Sequence, residues 1–182
     1  MSNIFRTNIL GAAVALSLPA AAAARDAAAW DSAGGIARDA LVVAALGVPA
    51  IKGDWRGDAE AGASLGSAAL ATYGLKRAFP ELRPDGSDRK SFPSGHSSIS
   101  FAAAATLQNR YGWRIGLPAQ LVAGFVGISR IEARKHHWYD VVAGAAVGEA
   151  SGFLLTTRRN SSVRVLPWAG SGDAGVTALV RF

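Results

Sequence analysis

The chain has 182 residues, half of them hydrophobic, no cysteine, and a formal charge of +6. That apolar content excludes a disordered chain and is enough for one domain with a buried core. The missing cysteines exclude a disulfide framework and a thiolate metal site, and the positive excess suits an anionic partner: phosphate, nucleic acid or an acidic membrane surface.

The first segment, MSNIFRTNILGAAVALSLPAAAAARD, has one early cation, Arg6, then an apolar run from Ile9 to Leu18, then Pro19 and a row of alanines. That order is expected of a secretory signal over residues 1–24, cut after Ala24, with a retained short anchor as the alternative. Residues 25–182 are then a single domain. Export of a cysteine-free chain points to a bacterial periplasm.

Five apolar stretches follow: Ala40 to Ile51, Ala61 to Leu75, Ile99 to Leu107, Ile115 to Ser129, and Val141 to Leu155, the last interrupted by Glu149. Alanine and leucine dominate them, which predicts helices rather than strands. The expected fold class is all-α, a bundle of about five core helices over about residues 39–158. The uninterrupted runs are shorter than the ~20 residues of a membrane span. Lys52, Glu60, Lys76, Arg114 and Arg130 close them. They are therefore read as buried helices of a soluble or peripheral bundle. The last stretch, VRVLPWAGSGDAGVTALVRF, has β-prone runs at Val163 to Leu166 and Val176 to Phe182 around a Gly/Asp-rich turn. It is read as a short C-terminal β-hairpin over about residues 162–182, packed as a strap on the bundle.

Three stretches mix cations with corner residues. In LKRAFPELRPDG, Pro80 and Pro84 stop a helix and hold an extended loop, so Lys76 sits near a helix end and Arg83 on the loop beyond it. Alone, these are two solvated surface cations. In FPSGH, Ser94 can cap a helix and Gly95 lets backbone approach a ligand, while the helix start offers free N–H groups to an anion. Alone, this reads equally as an anion site edged by His96 and as a capped helix start with an incidental histidine. In SRIEARKHHWYD, Asp140 follows His136 by four positions, a spacing that stacks a carboxylate beside an imidazole on a helix. The carboxylate would fix the tautomer of the ring and leave its other nitrogen free to attack. Alone, this is a His–Asp pair holding two helices together. His137, Trp138 and Tyr139 are read as pocket wall or interface packing.

Together the three stretches supply three cations, two histidines and a carboxylate, and no convincing cluster of catalytic metal ligands. Lys76, Arg83 and Arg130 could neutralise phosphoryl oxygens, with one histidine as nucleophile and one as acid. The set Lys76-x6-Arg83-Pro84, Pro93-Ser94-Gly95-His96 and Ser129-Arg130-x5-His136-x3-Asp140 resembles the three-part signature of the type 2 phosphatidic acid phosphatase and vanadium haloperoxidase superfamily. The match runs from Lys76 to Asp140.

The resemblance implies a hydrolase without a cofactor. His136 resembles the nucleophile that becomes a phosphohistidine, Asp140 its orienting partner, and His96 the acid that protonates the leaving oxygen and later activates water. Lys76, Arg83 and Arg130 resemble the phosphate clamp, together with the backbone N–H groups of Ser94 and Gly95 and the Ser94 hydroxyl. Ser129 belongs to the motif without a defined role. The implied substrate is a phosphomonoester or diphosphate, above all a lipid phosphate such as phosphatidate or a polyprenyl diphosphate, met at a membrane surface. A broad periplasmic acid phosphatase acting on soluble esters is the alternative. No nucleic-acid partner is expected. Vanadate would be an inhibitor, or a cofactor only if the chain were a haloperoxidase, whose relatives are far longer.

Overall fold

The structure is a computed structural model and describes residues 5–159, 163–169 and 173–180. Residues 1–4 of the expected signal segment, the turn at 170–172 and the terminal Phe182 lie outside the described residues. Five helices follow one another: α1 (Phe5–Ile51), α2 (Trp55–Ala78), α3 (Gly95–Tyr111), α4 (Trp113–Glu132) and α5 (Trp138–Leu155). They pack as one helical bundle in which α3 is central, touching each of the other four.

The helices begin and end where local chemistry dictates. The Asp54 carboxylate accepts from Gly57 N–H at 3.1 Å and starts α2. Pro80 stops that helix one residue after its C-cap, Phe79. Ser94 caps α3 through Ser97 N–H. Gly112, at φ 84°, turns the chain from α3 into α4, a conformation that favours glycine. Asp140 accepts from His137 N–H at 2.8 Å and starts α5.

The helices outrun the apolar stretches that foretold them, because capping and polar flanking residues extend each one. α2, α3, α4 and α5 have 24, 17, 20 and 18 residues. At 1.5 Å per residue they measure roughly 25–36 Å, close to the ~30 Å of a bilayer core. The Arg25–Ile51 part of α1 is itself long and apolar enough to cross a membrane.

The interior is made of small residues. Ala45, Ala61, Ala68, Ala102, Ala103, Ala104, Ala105 and Ala123 are fully buried. A Cβ added to Gly144 would meet Ser94 O at 2.4 Å, and one added to Gly148 would meet Ser98 O at 2.3 Å. This spacing of four puts one bare stripe of α5 against the backbone of α3. Leu41, Leu107 and Val126 are buried beside them, but many other large apolar residues face outward. Leu117, Leu121, Phe125 and Ile128 form an exposed stripe along α4, and Ile36, Val43, Leu70, Val142 and Leu154 are exposed on the other helices. A soluble bundle has the reverse arrangement, so the expectation of buried helices in water does not describe this surface.

Two terminal segments, β1 (Val163–Ala169) and β2 (Ala174–Val180), run antiparallel with Val163 opposite Val180. Among the described residues they pair with each other and meet the helices only where β1 follows α5. Among the described residues the expected strap across the bundle is not formed. The helices and the loops between them carry the fold and the site.

Candidate functional site

One end of the bundle gathers every residue singled out by the three motifs. Two helices finish there and two begin. Lys76 lies in the last turn of α2 and Arg130 in the last turn of α4. Ser94, Gly95 and His96 open α3, and Asp140 lies in the first turn of α5. The start of α3 thus offers backbone N–H groups to this region, which favours an anion, while the start of α5 is closed by its own capping box.

The loops between these helices complete the site. The α2–α3 loop folds back on itself through Ser91 N–H to Glu81 O at 2.9 Å and Arg83 N–H to Asp88 O at 3.0 Å. It is tied to the α4–α5 loop by Asp85 N–H to Arg134 O at 3.1 Å and by a Lys135–Asp85 ion pair at 2.7 Å. Arg83 donates to the Asp88 carboxylate at 2.8 Å. Lys76 Nζ donates to the carbonyls of Lys90 and Pro93, at 2.6 and 2.5 Å. The lysine therefore holds the loop that carries PSGH as well as lending its charge.

His136 is 3% exposed, which places its ring inside the protein with little water. Its Nδ1 lies 2.8 Å from Ser91 O. A carbonyl can only accept, so Nδ1 carries the proton and Nε2 keeps the lone pair. Burial pushes the ring's pKa well below its usual 6.5, and the nearby charges of Lys76, Arg83 and Arg130 add to that, with Asp140 opposing. The nitrogen base is thus kept neutral among three cations. Asp140 Oδ2 stands 3.7 Å from Nδ1, beyond hydrogen-bond distance. It accepts instead from Ser91 Oγ at 2.5 Å and from His137 N–H at 2.8 Å. The expected direct His136–Asp140 bond is replaced by a two-step support through Ser91. Sequence reasoning missed Ser91 because its carbonyl does the work, and every residue type has one.

The PSGH corner also differs in detail from its expected use. Ser94 N–H is committed to Asp140 O at 2.9 Å, and Ser94 Oγ accepts from Ser97 Oγ at 3.0 Å. Those two Ser94 groups build the corner, which leaves Gly95 and His96 as the N–H groups at the start of α3. A Cβ on Gly95 would lie 4.0 Å from Lys76 Cε, so the lysine stem runs past this corner.

Outside the motifs, α1 contributes to the site. Asp31 Oδ1 pairs with Arg130 at 2.6 Å, and Arg38 Nη1 stands 3.0 Å from His96 Nε2. Ser129 is fully buried, donates to Val126 O at 2.7 Å and meets α1 at Gly34, which gives this motif residue a packing role. His137 stacks on Tyr139 at 5.0 Å, whereas Trp138 is 66% exposed. Glu81, His137 and Asp140 bring one ligand-type atom each within 4.8 Å of one another. Those atoms are engaged locally: Tyr139 Oη donates to Glu81, and Asp140 Oδ2 takes the bonds named above.

Arg110, 5% exposed, makes a separate buried network at the other end of the bundle. It donates to both Asp54 oxygens at 2.7 and 2.5 Å and to Glu60 at 3.1 Å. Tyr111 Oη adds a bond to Asp54 at 2.8 Å. Its residues pair with one another, as a structural lock would.

A family profile described as "PAP2 superfamily" matches residues 59–164. The chain is 44% identical over 82 residues to a lipid A 1-phosphatase of Porphyromonas gingivalis, covering 43% of this chain and 18% of that one. It is 32% identical over 97 residues to a lipid A 4'-phosphatase of Helicobacter pylori, covering 47% and 49%. The chain thus spans less than half the length of these two relatives. Among solved structures, Aquifex aeolicus LpxE aligns over 71% of this chain and 84% of its own, with a TM-score of 0.61 at 21% identity. A transmembrane PAP2-type phosphatidylglycerolphosphate phosphatase of Bacillus subtilis aligns over 81% and 89%, with a TM-score of 0.56 at 23% identity. At those identities the structural likeness concerns the fold.

Proposed function

The chain belongs to the PAP2 superfamily, and from that premise we propose that it is a metal-independent lipid phosphatase working through a phosphohistidine. The observation that carries this reading is His136: a buried imidazole, its Nδ1–H held by Ser91 O, its Nε2 unprotonated within the field of Lys76, Arg83 and Arg130. Nε2 attacks phosphorus in line with the bond to the leaving oxygen. The three cations and the N–H groups at the start of α3 neutralise the oxygens as charge shifts onto them. His96 serves the leaving oxygen and then takes a proton from the water that releases phosphate. Asp140 acts through Ser91 and the α5 cap, holding the loop that holds the ring.

The lipid reading is supported by the names of the relatives and by the apolar exterior. We place the bundle in a membrane, with the exposed stripes of α4 and its neighbours toward lipid and the site near the bilayer surface. Export to the periplasm with cleavage after Ala24 completes the proposal. N-terminal sequencing of the mature protein would read Arg25 first if it is correct and Met1 or Ser2 if the segment stays.

The test of activity uses the purified chain in detergent with phosphatidate, in the presence of a chelator. Turnover is expected without metal, with orthovanadate as a competitive inhibitor. His136→Ala is expected to lower kcat by at least about 1000-fold. A strict requirement for a divalent metal would overturn the reading. Faster turnover of soluble sugar phosphates than of phosphatidate would replace the lipid by soluble esters.

A further inference from the structure

Asp31, Gly34 and Arg38 lie three and four residues apart, so they share one face of α1. That face is pressed onto the third motif, since a Cβ on Gly34 would fall 1.9 Å from Ser129 Oγ. Asp31 pairs with Arg130. Arg38 has its Nη1 3.0 Å from His96 Nε2, and its Nε and Nη2 on Asp39 Oδ1 at 2.9 and 2.7 Å.

A guanidinium only donates, so His96 Nε2 is the accepting nitrogen and the ring proton sits on Nδ1. A permanent cation therefore stands against the histidine that serves the leaving oxygen. Leaving groups differ in what they need there. An alkoxide leaving from a monoester needs a proton. A phosphate ester leaving from a diphosphate is already a stable anion and needs a positive partner instead. The Asp39 side chain that partners Arg38 is 66% exposed, so Arg38 can exchange that carboxylate for substrate oxygen at small cost.

We propose that Arg38 binds the leaving group and tunes the site toward lipid diphosphates, whose leaving group is itself a phosphate ester. This rests on the phosphatase reading of the same site. His136 Nε2 forms a bond to the terminal phosphorus. The bond from that phosphorus to the bridging oxygen breaks, and its electron pair stays on the oxygen. That oxygen departs as part of the lipid monophosphate, paired with Arg38. Water then adds its oxygen to the phosphohistidine phosphorus and gives a proton to His96. The N–P electron pair returns to Nε2, which leaves inorganic phosphate.

The experiment compares farnesyl diphosphate with farnesyl monophosphate on the purified full chain in detergent, for wild type, Arg38→Ala and Arg38→Lys. Arg38→Ala is expected to lower the diphosphate-to-monophosphate ratio of kcat/KM by about 30-fold, and Arg38→Lys to recover part of it. Orthovanadate inhibition reports whether the phosphate clamp is intact. If the alanine variant loses it, Arg38→Gln, which keeps the bulk and drops the charge, is read by the same ratio. A ratio unchanged in a variant that still binds vanadate overturns the role of Arg38 and leaves the phosphatase reading standing. A wild-type chain that cleaves neither substrate overturns both.

Discussion

His136 has two acceptors nearby, the Ser91 carbonyl at 2.8 Å and the Asp140 carboxylate at 3.7 Å, and only the first is within bonding distance. The carbonyl leaves the ring neutral with a defined tautomer, where a close carboxylate would have favoured the charged ring. Burial and the surrounding cations push in the same direction, below the usual 6.5. The folded chain thus binds fewer protons at His136 than the unfolded chain does just below pH 6.5. Stability from this group rises with pH through that window and is lost as pH falls. Nitrogen-detected NMR of labelled histidine at pH 5.5 is expected to find His136 neutral with its proton on Nδ1. Titration of this ring near 6.5 would contradict the buried, cation-flanked site. The motif residues were legible because their types and spacings are specific. Ser91 O, the engaged Ser94 N–H and the α1 face were not, since a backbone group has no letter of its own. Asp31 and Arg38 lie at no fixed distance along the chain from the motifs they touch.

At the scale of the element, α5 owes its place to what it lacks. Gly148→Ala would force a Cβ to 2.3 Å from Ser98 O and 2.7 Å from Ala102 N. Overpacking of that kind costs about 1–3 kcal/mol. Thermal unfolding in detergent should show the loss, while Gly66→Ala, with nothing within 4 Å, should be neutral or slightly stabilising. Equal effects at the two positions would contradict the close α3–α5 approach. At the opposite end, Arg110→Met removes the two-pronged donor of the buried Asp54 carboxylate, and breaking such a buried pair costs about 3–5 kcal/mol. A markedly lower unfolding midpoint is expected; an unchanged one would mean that the network carries no stability. The helices themselves were legible as Ala/Leu runs between polar corners. Their true ends were not, because Asp54, Ser94 and Asp140 fix them by side-chain bonds that hydropathy does not register. The stripe Gly144, Gly148 and Gly152 stands in the sequence at a spacing of four, yet glycine in an apolar run gives no hint of which helix it faces.

Among the described residues alanine and glycine fill most of the interior, with Leu41, Leu107 and Val126 beside them, while many leucines, valines and phenylalanines lie outside. Run length argued against membrane spans, since charged residues interrupt the apolar stretches. In three dimensions Lys76 and Arg130 sit at the site end, Arg110 pairs with Asp54 and Glu60, and many outward-facing residues are apolar, which is the pattern behind the proposed membrane placement. The terminal ribbon adds little to the helices it follows. Ending the chain after Arg159 is expected to leave kcat/KM within roughly 3-fold, and a larger loss would assign β1 and β2 a part in the site. The most direct test of the central claim is to trap the intermediate. The purified chain is mixed with phosphate-labelled lipid substrate in chelator, quenched in alkali, where phosphohistidine survives, and digested. Label on the peptide that contains His136, absent from the His136→Ala variant, is the predicted result. Full turnover with no label on that peptide would contradict it.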